Sequence, residues 1–257
     1  MQQLTFVFLA VLGFNSFNVA AAQADNTKSQ PTNDHVIIQR RRIVIVRDRE
    51  FTKQFPGRKR AVITYPLVSG LSNPALLRRV RSLLDFKNIF DYSLKDYRED
   101  GWLDEFTYVV NYNRNYLLDI TFTQSGMAAY PDEQSKHFII DLREGRIFKA
   151  DDVFKSDTLE RLAAMVDREL QREIKRIENE NRNPEQKEVV DGAFDDLKFE
   201  STNVDEFSVG PKGITFLYDA GFPHVIRALQ PEGRYFFSYS TLKPYIKRDG
   251  PLGQFVN

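Results

Sequence analysis

Residues 130–154, YPDEQSKHFIIDLREGRIFKADDVF, constrain the fold of this chain more than any other stretch. A strand-like run from His137 to Leu142 is followed by a turn at Arg143-Glu144-Gly145 and a return strand over residues 146–148. Strands joined by so short a turn must pair antiparallel, because a parallel crossover needs about a dozen residues or more. Beyond them, Leu159, Leu162, Val166, Leu170, Ile174 and Ile177 recur at steps of three or four. That spacing predicts a long amphipathic helix with an Arg, Glu and Lys outer face. Asp151 and Asp152 suit the positive end of a helix. Asp157 and Glu160 stand at the spacing of a capping box. The polar run 178–188, with Pro184, is expected to end the helix and form a loop.

The rest of the chain fits around this unit. Residues 36–46 carry β-branched runs on either side of Arg40-Arg41-Arg42 and read as a strand with a solvated basic kink; contact with an anionic glycan or lipid surface is the alternative. Residues 61–68 read as another strand, ending at Ser69-Gly70. Asn73 then serves as N-cap and Pro74 as first residue of a helix whose apolar face is Leu76, Leu77, Val80, Leu83 and Leu84. Residues 106–112 and 116–123 make the clearest hairpin. Phe106, Tyr108, Val110 and Tyr112 share a face, and Asn113-Arg114-Asn115 forms the connection. Tyr108, Tyr112 and Tyr116 read as cross-strand packing, or alternatively as a carbohydrate groove. Residues 207–209 and 214–218 form a second hairpin around Gly210-Pro211-Lys212-Gly213, residues 234–239 a further aromatic strand, and residues 241–246 a short final turn. Hairpin-type links throughout predict an α+β fold: a mainly antiparallel sheet with two packed amphipathic helices.

Composition narrows the function. Thirty-six basic residues balance 36 acidic ones, which argues against a nucleic-acid partner. The first 24 residues carry no charge. An apolar run over residues 4–14 and the small-x-small site Ala22-Gln23-Ala24 resemble a cleaved signal peptide. Asn15, Ser16 and Asn18 interrupt the run before the roughly 20 residues of a membrane span, so no stable span is expected after cleavage. An exported protein, periplasmic or extracellular, is the expectation. With no cysteine, it must hold together by burial rather than disulfides. The expected layout is residues 1–24 signal peptide, 25–60 lead-in and first strand region, 61–125 an N-terminal α+β lobe and 126–257 a C-terminal α+β domain.

No Gly-rich phosphate loop, GxSxG or HExxH motif occurs. His35, His137 and His224 are far apart, so neither metal nor cofactor is expected. Asp151-Asp152 and Asp195-Asp196 are paired acids, but neighbours on an extended strand point to opposite faces. No catalytic residue is assigned. If there is a binding surface, it is expected on two Gly/Pro-shaped turns that present aromatic groups: the Ala128–Pro131 loop, with Tyr130 and Pro131, and the Gly221–His224 loop, with Phe222, Pro223 and His224.

Three segments resemble a known family: ITYPLVSGL (63–71) with its Asn-Pro helix start; GMAAYP (126–131) followed by HFIIDLREGRIFKADDVF; and residues 213–218 with 236–242. Together they are similar to the extracytoplasmic domain pair of unknown function found in lysozyme-sensing (RsiV-like) anti-sigma factors and in some peptidoglycan deacetylases. The resemblance covers residues 61–246. It implies an α+β fold, a cell-envelope setting, and binding of peptidoglycan or a lysozyme-like protein rather than catalysis. Two alternatives stand beside it: a cell-wall glycan hydrolase using dispersed carboxylates such as Asp132, Asp151 or Asp152, and a self-associating structural protein.

Overall fold

Strands and helices share the molecule's order about equally. The computed structural model describes residues 34–127, 130–181 and 192–256. The expected leader and much of the lead-in, and most of the expected 178–188 loop, lie outside these residues. Strands β1 (Ile37–Val46), β2 (Arg60–Ser69), β3 (Leu103–Arg114), β4 (Leu117–Met127), β5 (Pro131–Asp141) and β6 (Arg146–Ile147) form one sheet in chain order. Strands β7 (Phe207–Val209), β8 (Gly213–Leu217) and β9 (Arg234–Ser238) form a second. Helices α1 (Arg49–Gln54), α2 (Pro74–Leu83), α3 (Phe86–Phe90), α4 (Leu94–Asp100), α5 (Ala150–Val153), α6 (Leu159–Glu180) and α7 (Tyr239–Leu242) complete the fold. The α+β, mainly antiparallel expectation holds, with α2 and α6 as the two amphipathic helices.

One pairing departs from the antiparallel rule. Strands β2 and β3 run parallel, with Val62 opposite Glu105 and Ile63 opposite Phe106. The crossover that parallel pairing demands is supplied by α2, α3 and α4. Asp85 caps α3, and Ser93 with Asp96 forms a capping box on α4.

Two apolar cores result. In the first, Val80, Leu84, Ile89 and Tyr97 pack with Ile63, Phe106, Leu118, Ile120, Phe122 and Ile140. The second gathers Leu162, Val166, Leu170, Ile174 and Ile177 of α6 with Phe207, Phe216 and Tyr235. Phe154 enters this core with ring centroids 5.5 Å from Phe207 and 5.8 Å from Phe216. Leu117 and Ile139 reach it from the large sheet. The start of β4 is therefore buried through Leu117, Leu118, Asp119 and Ile120 without alternation, as expected where a strand is covered on both sides.

Asp119 joins the two sheets. It is fully buried and accepts hydrogen bonds from Asn111 Nδ2 (2.7 Å), Ser208 Oγ (3.0 Å) and the Val209 backbone N–H (2.6 Å). His137 Nε2 lies 3.2 Å from its Oδ1, outside hydrogen-bond alignment, while Nδ1 pairs with Thr121 Oγ1 at 2.9 Å. His137 is thus packed into a joint between the sheets.

The boundary expected between residues 125 and 126 falls within the β4–β5 hairpin, whose strands pair from Leu117–Asp141 to Met127–Pro131. The sheet crosses that position without interruption.

Several local expectations need correction. Strand β1 shows no kink: Arg40, Arg41 and Arg42 stay in register with Pro66, Tyr65 and Thr64. The first hairpin turns at Asn115-Tyr116, both at positive φ (54° and 61°), rather than over residues 113–115. A register shift between Val110 and Tyr112 sends Tyr112 into the second core while Tyr108 stays in the first, so the shared face ends at the bulge. Strand β5 starts at Pro131, well before His137. The Asp157–Glu160 capping box does not form. A 3-10 turn, Ser156–Thr158, places Thr158 at the N-cap, and Glu160 accepts instead from Ser201 Oγ.

Replacing Asp119 by Asn leaves one oxygen for donors on two sides, so an amide N–H must face either Asn111 Nδ2 or the Val209 N–H and Ser208 hydroxyl. We expect Asp119→Asn to cost about 2 kcal/mol, the scale of a buried donor left unsatisfied. Urea denaturation measures it; an unchanged midpoint would show that the carboxylate does not join the sheets.

Candidate functional site

The two loops singled out by sequence lie in different surroundings. Tyr130 is 65% exposed beside the β4–β5 turn, and Pro131 opens β5 opposite Met127; Ala128 and Ala129 lie outside the described residues. Arg58 braces this end by donating to the carbonyls of Gly101 (2.9 Å) and Met127 (3.1 Å). Phe222 is half-buried against the second core, 5.6 Å from the Phe194 ring, and its N–H donates to Gln230 Oε1. Pro223 is exposed, and His224 opens a 3-10 turn, His224–Leu229. Ile139, where β5 reaches the second core, is eight residues from Pro131, roughly 26 Å along the strand.

The remaining candidates separate as well. Tyr108 and Tyr112 enter different cores, so the three tyrosines do not line one groove. Among the described residues, no cluster of three His, Cys, Asp or Glu side chains could hold a metal. Asp152 is held by Arg146 (2.8 Å) and accepts the Lys149 N–H, which agrees with its reading as a helix-start device. Phe148 pairs back to Ile139, so Asp132 and the Asp151-Asp152 pair are separated by about seven strand residues, on the order of 20 Å. A glycosidase needs its two carboxyls about 5–9.5 Å apart.

Three turns do meet, around a recess of about 420 Å³ lined by Leu71, Ser72, Asn73, Leu76, Tyr116, Leu142 and Arg143. The first turn leads into α2. Asn73 caps that helix by accepting from the N–H groups of Ala75 (2.9 Å) and Leu76 (3.2 Å). The second is Asn115-Tyr116. A tyrosine at positive φ costs about 1–2 kcal/mol, and its surroundings hold it there. The Tyr116 N–H donates to the Asp34 carbonyl (2.6 Å), and its own carbonyl accepts from the Leu142 N–H (2.8 Å). The third is the Arg143-Glu144-Gly145 turn, where Asp141 Oδ1 accepts the Arg143 N–H at 2.7 Å. Gly145, at φ 68°, packs under α2; a Cβ there would stand 2.9 Å from Leu76 Cδ1.

Charge in the recess is one-sided. The Arg143 guanidinium lies 4.4 Å over the Tyr116 ring and, among the described residues, pairs with no carboxylate. The acids nearby are engaged. His35 and the Asn115 N–H hold the Asp34 carboxyl below its usual range. Glu144 and Asp152 both bind Arg146. Burial raises the Asp152 pKa, but hydrogen bonds from Arg146 and the Lys149 N–H outweigh it and hold the carboxyl below 3.8. The arrangement is an amphipathic recess with one outward cation. Sequence flagged the Asn-Pro helix start and the Gly turn, but their meeting around Tyr116 depends on sheet register, which no local pattern carries.

A β-branched side chain at Gly145 is strained at φ 68° and pushes the end of the Leu76 side chain aside, so Gly145→Val should cost about 1–3 kcal/mol by thermal unfolding, while an unchanged Tm would mean the turn is not constrained there. Because the folded Asp152 pKa is depressed, its contribution is present above pH 3.8 and is lost as pH falls through the folded value. The stability gap between the protein and Arg146→Gln should therefore stay level from pH 7 to about 5 and narrow below about 4. A gap independent of pH would contradict this.

No protein-family model matches the sequence, and no curated protein matches it. Solved structures do match the fold. A DUF3298 family member from Bacteroides fragilis NCTC 9343 superposes with a TM-score of 0.56 at 14% identity, covering 88% of this chain and 99% of that one. A DUF3298 family protein from Pseudomonas aeruginosa PAO1 gives 0.52 at 13% identity, covering 85% and 95%. At these identities the likeness is one of fold. DUF3298 is the RsiV-like domain, so this is the fold that the sequence resemblance implied.

Proposed function

We propose that this is an exported, non-enzymatic protein of the bacterial envelope that binds a cell-wall component, either peptidoglycan or a lysozyme-like protein, at the recess over Tyr116. The observation that carries the reading is the Arg143 guanidinium, paired with no carboxylate among the described residues, stacked on Tyr116 beside leucine walls. A pocket of this size that sets leucine walls beside a fixed guanidinium suits ligand capture. The signal-like leader supports export, and the DUF3298 fold of two bacterial structures supports the setting. The distance between Asp132 and Asp151-Asp152 weighs against the hydrolase alternative built on those acids. Tyr130, exposed at the far end of the sheet, is a second contact point for a partner large enough to span it.

Pull-down of the purified protein on cell-wall sacculi and on immobilised lysozyme tests this reading. Retention on one of them, weakened about tenfold in Arg143→Ala with an unchanged Tm, is the expected result. Retention on neither would overturn it.

A further inference from the structure

The recess carries enough chemistry to name its ligand more closely. We infer that it takes the free carboxylate of a peptide ending in a small apolar residue. This rests on the binding role proposed above and specifies what is bound.

The cation sets the first requirement. Arg143 sits 4.4 Å over the Tyr116 ring, so the aromatic face restrains the guanidinium. A restrained guanidinium presents a fork of N–H donors that matches a carboxylate with two parallel hydrogen bonds. No described acid fills that fork. Asp34 is taken by His35 and the Asn115 N–H, Glu144 by Arg146, and Asp141 is turned to the backbone N–H of Arg143 itself. The α2 helix adds a favourable field, since it has no acidic residue in its first turn. Its end groups are already capped by Asn73, so the helix terminus is not itself the site.

The walls set the second requirement. Leu71, Leu76 and Leu142 line the recess beside Arg143, so an apolar group next to the carboxylate gains burial against them. A volume of about 420 Å³ lies in the range of roughly 300–1,000 Å³ typical of small-ligand sites. A neutral sugar fits less well. Sugar rings stack on open aromatic faces, and Arg143 already covers a face of Tyr116. The carboxyl end of a peptide satisfies both requirements.

The test uses the full protein, a tripeptide ending in Ala-Ala with a free carboxylate, its C-terminal amide, and a neutral chitooligosaccharide. Calorimetry should show the acid binding at least about tenfold more tightly than the amide. Arg143→Ala should remove that difference, and Arg143→Lys, which keeps charge but loses the fork, should restore part of it. Backbone NMR shifts on adding the acid should cluster at residues 71–76, 116 and 142–143. Equal binding of acid and amide, no binding of either peptide, or Arg143-dependent binding of the oligosaccharide alone would overturn the assignment. Failure of the two proposals is separable. Sacculus retention with no acid preference leaves the binding role and removes the ligand. Acid preference without retention on sacculi or lysozyme leaves the ligand site and removes the envelope role.

Discussion

A single buried carboxylate governs how this chain becomes one body. Asp119 sits in β4 where both faces of the strand are covered, and it accepts from Asn111 on β3 and from Ser208 and Val209 on β7. Burying a charge is expensive unless hydrogen bonds replace its water, and here they come from both sheets. The same stretch supplies Leu118 and Ile120 to one core and Leu117 to the other. Helix α6 and strands β7–β9 thereby dock on the large sheet instead of forming a separate domain, and the described residues fall within one compact unit, Thr32–Asn257.

The recess follows from that arrangement. Register between β3, β4 and β5 brings the Asn115-Tyr116 turn level with Leu142, and their backbones bond directly. The parallel β2–β3 pairing forces a crossover, which carries α2 past the same edge. Gly145 then lets the β5–β6 turn close against Leu76. Each turn has its own local cause. Their convergence leaves an outward arginine on an aromatic ring, held by a tyrosine whose backbone is strained. Strain of this kind is often kept where a side chain must be presented in one orientation.

Much of the fold was legible because it rests on periodicity. Strands β2, β3, β4, β7 and β8, the cap at Asn73 and the apolar face of α6 all follow patterns of two or of three to four residues. The short helices α1, α3 and α4 escaped because so few residues show no period; only the Ser93–Asp96 capping spacing marked one of them. The bulge at Val110–Tyr112 was invisible, since alternation in sequence continues where register does not. Asp119 left a trace that was missed: an acid inside Leu117-Leu118-Asp119-Ile120 breaks a run that reads as buried on both faces. The candidate site was least legible. Tyr116 looked like a strand residue, and Arg143 like part of a tight turn.

The two cores form one cooperative structure joined at Asp119, and the recess is fixed as a consequence. Native-state hydrogen exchange measures this directly. Amides of Ile120 and Phe122 in β4, Val209 in β7 and Ile214 in β8 should exchange with the same opening free energy, equal to that of global unfolding. Exchange of Val209, Ile214 and the α6 amides through a separate, lower-energy opening while β4 stays protected would contradict it.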